Sequence, residues 1–345
     1  MGMESADDRF DRQVRFAPLG EVGQTRISRA QLTLVGCGAL GGVLAQTLVR
    51  AGVGTLIVVD RDVVEPTNLP RQVLFDEAHA REGVPKVEAA LETLERIGGP
   101  TRIVPHARHF DATNIRELLA QSDLVLDGTD NLETRYLIND FCVSEDLPWI
   151  YAGVVGGAGL VLGIRPGKGA CLRCLFPDPP APGTLPTCDS AGVILPAVGA
   201  VASMAAGIAM RWLAAPETQE DPPATLLELD AWNGTVRAIQ TPRDPDCPAC
   251  GRRDFPFLER SDSREPVLLC GRNAVQLPPT TRVPDLNALA ENLPGGARAL
   301  VRTAALVRFD LDELRLTIFR DGRALIEGTQ DPKRARALFD RVLSS

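Results

Sequence analysis

Two cysteine pairs carry the most explicit chemistry in the chain: Cys171 and Cys174 in CLRC, and Cys247 and Cys250 in CPAC. Two C-x-x-C knuckles supply four thiolates, which suits one tetrahedral zinc with no position left open for water. None of the three histidines lies near them in sequence. The expected site is therefore structural, one zinc per chain. Because the knuckles are more than seventy residues apart, the metal must join two distant loops of a folded domain rather than make a zinc finger.

GCGALG at 36–41 fits G-x-G-x-x-G, with Gly36, Gly38 and Gly41 at its fixed positions. Such glycines let backbone approach a phosphate, which the following helix N-terminus attracts. Asp60 stands about 20 residues further on, where an acidic side chain meets a ribose hydroxyl. This pattern alone does not separate NAD from ATP. Around it lie further polar groups: Arg12-Gln13, Asn68-Leu69-Pro70-Arg71-Gln72, Pro85-Lys86-Val87-Glu88 and Gly128-Thr129-Asp130-Asn131. Each has a plain alternative. Lys86 begins a helix and would face water; Asp130 would cap the helix that follows.

The elements that position these residues alternate. Residues 9–29 read as a helical arm, and 31–35 as a strand entering the glycine loop and a helix to Arg50. Thr55–Val59 is a second strand, and Lys86–Ile97 an amphipathic helix with Leu91, Leu94 and Ile97 on one face. Strands at 102–104, 124–126 and 149–151 alternate with helices at 113–121 and 131–145. This rhythm predicts an α/β fold: a Rossmann-like, doubly wound, mostly parallel sheet with structural zinc, plus a small C-terminal α+β domain. Residues 176–190 are Pro-rich and form a loop. Val193–Met210 is an uncharged run that reads as a buried helix rather than a membrane span. Residues 226–240 are a strand pair turning at Asn233-Gly234. The expected organisation is residues 1–254 as the main domain, 255–265 as a linker, and 266–345 as the small domain, with a hairpin around Asp321-Gly322 and a terminal helix at 331–343.

Taken in order, these motifs resemble the ThiF/MoeB/HesA family, relatives of the adenylation domain of ubiquitin-activating enzymes. The resemblance covers about residues 9–252: RFDRQ, the glycine loop, D-x-D at Asp60 and Asp62, NLPRQ, PKVE, TDN, the Pro-rich loop with Thr187-Cys188, and both knuckles. It implies ATP-dependent adenylation of the C-terminal carboxylate of a small ubiquitin-like protein ending in Gly-Gly. Asp60 would bind the ATP ribose, and Gly38 and Gly41 would admit the phosphates. Arg71 and Lys86 would neutralise triphosphate charge. Asp130, beside Asn131, would hold magnesium, and Asn68, in the same NLPRQ segment as Gln72, would orient phosphate or ribose. Arg12 would reach into the site of the second subunit of a homodimer. Cys188 matches a loop cysteine that, in some relatives, goes on to a covalent acyl intermediate. Cys37 and Pro70 depart mildly from the family pattern.

The net charge of −8 argues against nucleic acid as a partner. The charged N-terminus has no apolar h-region, so a cytoplasmic, membrane-free protein is expected, with reduced cysteines. Two other readings stand beside adenylation. An NAD-dependent oxidoreductase would leave Arg71, Lys86 and Asp130 without work, and a non-catalytic carrier-binding scaffold would be expected to have lost them. Residues 266–345 lack a rhodanese-type nucleophile loop and read as a docking module for carrier or acceptor.

Overall fold

The computed structural model describes residues 8–180, 184, 188–215, 224–259, 266–269, 273–280, 285–297, 299–303 and 306–344. The chain divides into two compact units, Met1–Arg81 with Pro85–Ser261, and Asp262–Ser345 with Glu82–Val84.

The first unit opens with short helices α1 (Asp11–Val14) and α2 (Gly20–Ile27). Strand β1 (Gln31–Val35) leads into α3 (Ala39–Ala51), and β2 (Thr55–Val59) is followed by α4 (Glu77–Glu82) and α5 (Lys86–Ile97). Then come β3 (Arg102–His106), α6 (Ile115–Leu119), β4 (Leu124–Asp127), α7 (Leu132–Ser144), β5 (Trp149–Val155) and β6 (Ala158–Ile164). The rest is α8 (Leu172–Leu175), α9 (Cys188–Ala191), α10 (Leu195–Ala214), β7 (Thr225–Asp230), β8 (Thr235–Gln240) and α11 (Pro256–Glu259). All eight strands form one sheet in the order β3-β2-β1-β4-β5-β6-β7-β8. The first five run parallel and β6 to β8 are antiparallel. The strand order reverses between β1 and β4, which opens a crevice at the strand C-termini, the place where doubly wound sheets bind ligands.

Burial explains the strands. Leu32, Leu34 and Val35 of β1 and Val125 and Leu126 of β4 are almost wholly covered, as central parallel strands require on both faces. Helix α5 departs from the expected face. Val87, Ala90 and Leu94 are buried, whereas Leu91 and Ile97 are half-buried, so the 3–4 spacing runs from residue 87 rather than 91. Lys86 lies on the covered side and does not face water.

Helix α10 is the one described helix long and apolar enough to cross a membrane. It packs one face, Ala197, Val198, Val201, Ala205 and Ala209, on α3, β5 and β6, and leaves Met204 exposed, so it is buried on one side only. At the β7–β8 connection four residues, not two, make the turn, and Asp230 accepts from the backbone of Trp232 and Asn233. Part of the expected linker is structured as α11, whose Phe257 is buried against Tyr136.

The second unit holds β9 (Val267–Leu269), β10 (Ala274–Leu277), α12 (Leu286–Glu291), β11 (Ala299–Arg302), β12 (Leu306–Leu311), β13 (Leu314–Phe319), β14 (Ala324–Glu327) and α13 (Pro332–Ser344). Its sheet is antiparallel in the order β11-β12-β13-β14-β10-β9. Leu338 and Phe339 of α13 close a core with Val275, Phe309, Leu316 and Ile326. The expected hairpin is β13–β14, with Gly322 at positive φ in its turn.

Candidate functional site

The crevice is a cleft of about 720 Å3, within the usual range for ligand sites. One part of it is built by three glycines whose backbones touch. Gly36 has φ +90°, and a Cβ there would stand 2.7 Å from the Gly128 carbonyl. A Cβ on Gly128 would stand 2.5 Å from the Gly36 oxygen, and one on Gly41 only 2.0 Å from it. The loop after β1 and the loop after β4 are thereby locked together, and Gly41 serves packing rather than lining the cleft. Gly38 does line it, and the nearest atom to a Cβ placed there is Gln72 Nε2 at 3.7 Å.

Asp60, at the end of β2, accepts from the Cys37 amide at 2.6 Å and from the Asp62 amide at 2.7 Å. It therefore braces the glycine loop as well as lining the cleft. Burial holds its carboxyl above the ordinary range against the pull of Lys86. Burial, reinforced by Asp60, also pushes the Cys37 thiol far up, so this cysteine is an inert, fully covered residue.

Lys86 Nζ donates to Asp62 at 2.9 Å. Burial alone lowers an ammonium pKa, but Asp62 and Asp60 outweigh it, and the lysine ends above its ordinary 10.5. Arg71 lines the cleft and donates to the Thr67 carbonyl at 2.8 Å. Beside it, Gln72 is buried with its Oε1 unpartnered among the described residues. Asn68 sits beneath this loop, 2% exposed, and accepts from the Glu65 amide at 3.0 Å. It shapes the segment that carries Arg71 and Gln72 and does not line the cleft.

On the other side, Asp130 and Asn131 line the cleft. Asn131, not Asp130, caps α7, accepting from Glu133 N at 2.8 Å. The Asp130 carboxylate makes no hydrogen bond or ion pair with another described residue. The loop is built from below by a buried pair. Asp127 accepts from Thr129 N (2.8 Å), Thr129 Oγ1 (2.7 Å) and Arg135 Nε (2.9 Å). Arg135 donates to the Thr129 carbonyl at 2.6 Å and the Ala152 carbonyl at 3.1 Å, with its guanidinium over the Tyr151 ring.

Sequence reasoning missed this pair. Its signal was an arginine one helical turn past Asn131. It also missed Arg108, His109 and Phe110 after β3, which line the cleft beside Arg61; Arg61 and His109 bond at 3.0 Å. Gly153, Gly159, Leu160, Val198 and Glu228 also line the cleft.

Two expected residues are not gathered here. The Arg12 side chain is 93% exposed, with Asp11 at 3.8 Å, and does not line the cleft of its own chain. Cys188 begins α9, and its side chain lies outside the described residues.

The four knuckle cysteines converge, their sulfurs all within 4.8 Å of one another. Sγ separations are 3.5 Å for Cys171–Cys247, 3.4 Å for Cys174–Cys250 and 3.9 Å for Cys171–Cys174. A tetrahedron of zinc–sulfur bonds needs about 3.8 Å between sulfurs, so the donor set fits zinc.

A glycine loop at a helix start, an acid closing the second strand, and cations around a cleft at the parallel-strand ends define a nucleotide-binding α/β domain of Rossmann type. The chain belongs to the ThiF family, which matches residues 10–249. It is 38% identical to the sulfur carrier protein ThiS adenylyltransferase of Bacillus subtilis, over 96% of this chain and 98% of that one. It is 36% identical to the SAMP-activating enzyme E1 of Haloferax volcanii, over 74% of this chain and 93% of that one. Among solved structures, Escherichia coli MccB with ATP shares the fold, with a TM-score of 0.61 at 21% identity, covering 70% of this chain and 74% of that one.

Proposed function

We propose that this enzyme adenylates the C-terminal glycine of a small ubiquitin-like sulfur carrier, using ATP and magnesium. The observation that carries this is the set of unspent polar groups facing one cleft: the Asp130 carboxylate and Gln72 Oε1, opposite Arg71 and Lys86. A hydride-transfer site has no use for two cations and a free carboxylate around the phosphates, and the adenylyltransferase relatives support the same reading.

The ribose would meet Asp60 and the phosphates the Gly38 face. Asp130 would hold the magnesium, whose charge would offset that of the phosphates. A carrier carboxylate oxygen attacks the α-phosphorus, the bond from that phosphorus to the bridging oxygen breaks, and pyrophosphate leaves. Arg71 and Lys86 stabilise the charge that builds on the departing group, so the protein contributes mainly position and electrostatics.

An Arg12 that is exposed on its own subunit is supported as a residue of the partner's site in a homodimer. Mixing inactive Arg12→Ala and Lys86→Ala proteins should then restore activity; no recovery after subunit exchange counts against it. After adenylation, the Cys188 thiolate would attack the acyl carbon of the adenylate, forming a thioester as the bond to AMP breaks and AMP leaves, so Cys188→Ala should keep pyrophosphate exchange while losing any thiol-linked carrier. The zinc is structural, and residues 266–345 dock carrier or acceptor; their deletion should impair carrier use more than ATP binding.

The direct test is carrier-dependent ATP–pyrophosphate exchange with magnesium. Exchange that appears only when a Gly-Gly-ending carrier is added is expected. Reduction or oxidation of a nicotinamide cofactor, with no exchange, would overturn the assignment.

A further inference from the structure

Arg135 has five guanidinium N–H groups, and the fold engages those on two of its three nitrogens. Nε serves Asp127, and Nη2 serves the carbonyls of Thr129 and Ala152. Nη1 has no hydrogen-bond partner among the described residues. The residue is 8% exposed, so this donor pair is held in one place by a buried scaffold rather than waving in solvent.

It also borders the cleft. Arg135 and Gly153 both line it, and Nη1 lies 3.5 Å from where a Cβ on Gly153 would stand. Gly153 adds no side chain beside that edge where both residues line the cleft. Arg71 and Lys86 line the same cleft, where Arg71 donates to the Thr67 carbonyl and Lys86 is shared with Asp62. A carboxylate approaching a phosphate is an anion approaching an anion, and it needs a cation on its own side.

We infer that the Nη1 edge of Arg135 anchors the C-terminal carboxylate of the carrier tail. One carboxylate oxygen accepts from Nη1 while the other is left to attack the α-phosphorus. The inference rests on the adenylation reading and adds to it a substrate-anchoring residue. A side chain at Gly153 would meet the Tyr151 hydroxyl at 2.9 Å as well as crowding Nη1 at 3.5 Å.

The probe is Bacillus subtilis ThiS, prepared with its C-terminal carboxylate and as the C-terminal amide, bound in the presence of a non-hydrolysable ATP analogue. Wild-type protein should bind the carboxylate form about tenfold more tightly, the worth of one charge-assisted bond. Asp127→Asn with Arg135→Gln neutralises the buried pair together, so no lone charge is left inside, and it should erase that preference while still binding the ATP analogue. Should that double variant fail to fold, Arg135→Lys keeps the ion pair with Asp127 but has no Nη1, and should lose the preference too. A variant that keeps the full preference, or loses affinity for both forms equally, overturns the anchor and leaves a scaffold residue. A wild-type chain that neither binds ThiS nor exchanges pyrophosphate with it overturns the adenylation reading on this carrier, and the anchor falls with it.

Discussion

The cysteine cluster and the nucleotide cleft are both assembled from segments far apart in sequence, and they differ in what they leave undone. At the cluster all four sulfurs turn inward upon one point, with no ligand position left over. At the cleft Asp60, Asp127 and Asn131 brace the loops, but Gln72 Oε1, the Asp130 carboxylate and Arg135 Nη1 have no hydrogen-bond partner among the described residues. A complete donor set marks a structural joint, and an incomplete one marks a place where something arrives and leaves.

This contrast can be broken at four points. Lys86→Ala should lower carrier-dependent exchange by about a hundredfold or more, the usual cost of removing one preorganised charge-stabilising donor. A normal circular dichroism spectrum would show that the fold survives, and near-normal exchange would refute the role. Next is Gly128→Ala, whose methyl would collide with the Gly36 carbonyl. Because the collision displaces the phosphate loop, ATP affinity should drop by about tenfold, roughly 1.4 kcal/mol. Isothermal titration reads this directly, and unchanged affinity would show that the loops are not locked.

Cys171→Ser should act in the opposite place. Zinc content should fall from about one per chain. The melting temperature should fall by roughly 10 °C, equivalent to several kcal/mol for a domain of this size. The ATP affinity of protein still folded at low temperature should barely move. Full zinc content in the variant, or lost nucleotide binding with unchanged melting, would erase the distinction between the two sites.

The smallest effect is one of pH. Lys86 has a folded pKa above its ordinary 10.5, so the native state holds that proton more tightly than the unfolded chain. The stability it adds is complete below pH 10.5 and is lost only as the pH climbs through the folded value. The melting-temperature gap between wild type and Lys86→Met should stay constant from about pH 6.5 to 9. A gap that closes across this range would mean the lysine titrates near neutrality.

The parallel strands and glycine loop were legible because their signals are local: continuous apolar runs, then glycines at fixed spacing. The cysteines were legible because metal ligation demands particular atoms. Arg135 was not, since its meaning lies in Asp127, which ends the preceding strand, and in the Ala152 carbonyl on the next one. Arg108, His109 and Phe110 escaped for the same reason: their importance is a place beyond β3, not a pattern. The buried face of α5 was misread because Leu91 and Ile97 are more apolar than Ala90, yet closeness to the sheet favours the small residue. Asn131 took the cap expected of Asp130, which keeps the aspartate available.

Strand β8 is exposed along its whole length and forms the outer border of the large sheet, so burial gives it little reason to stay attached. The two knuckles bracket it, with Cys247 76 positions after Cys171. A zinc ion bound there closes that stretch into a ring, and a ring of this size removes about 4 kcal/mol of chain entropy from the unfolded ensemble. The antiparallel border of the sheet would then owe its permanence less to what it covers than to having no loose end from which to peel.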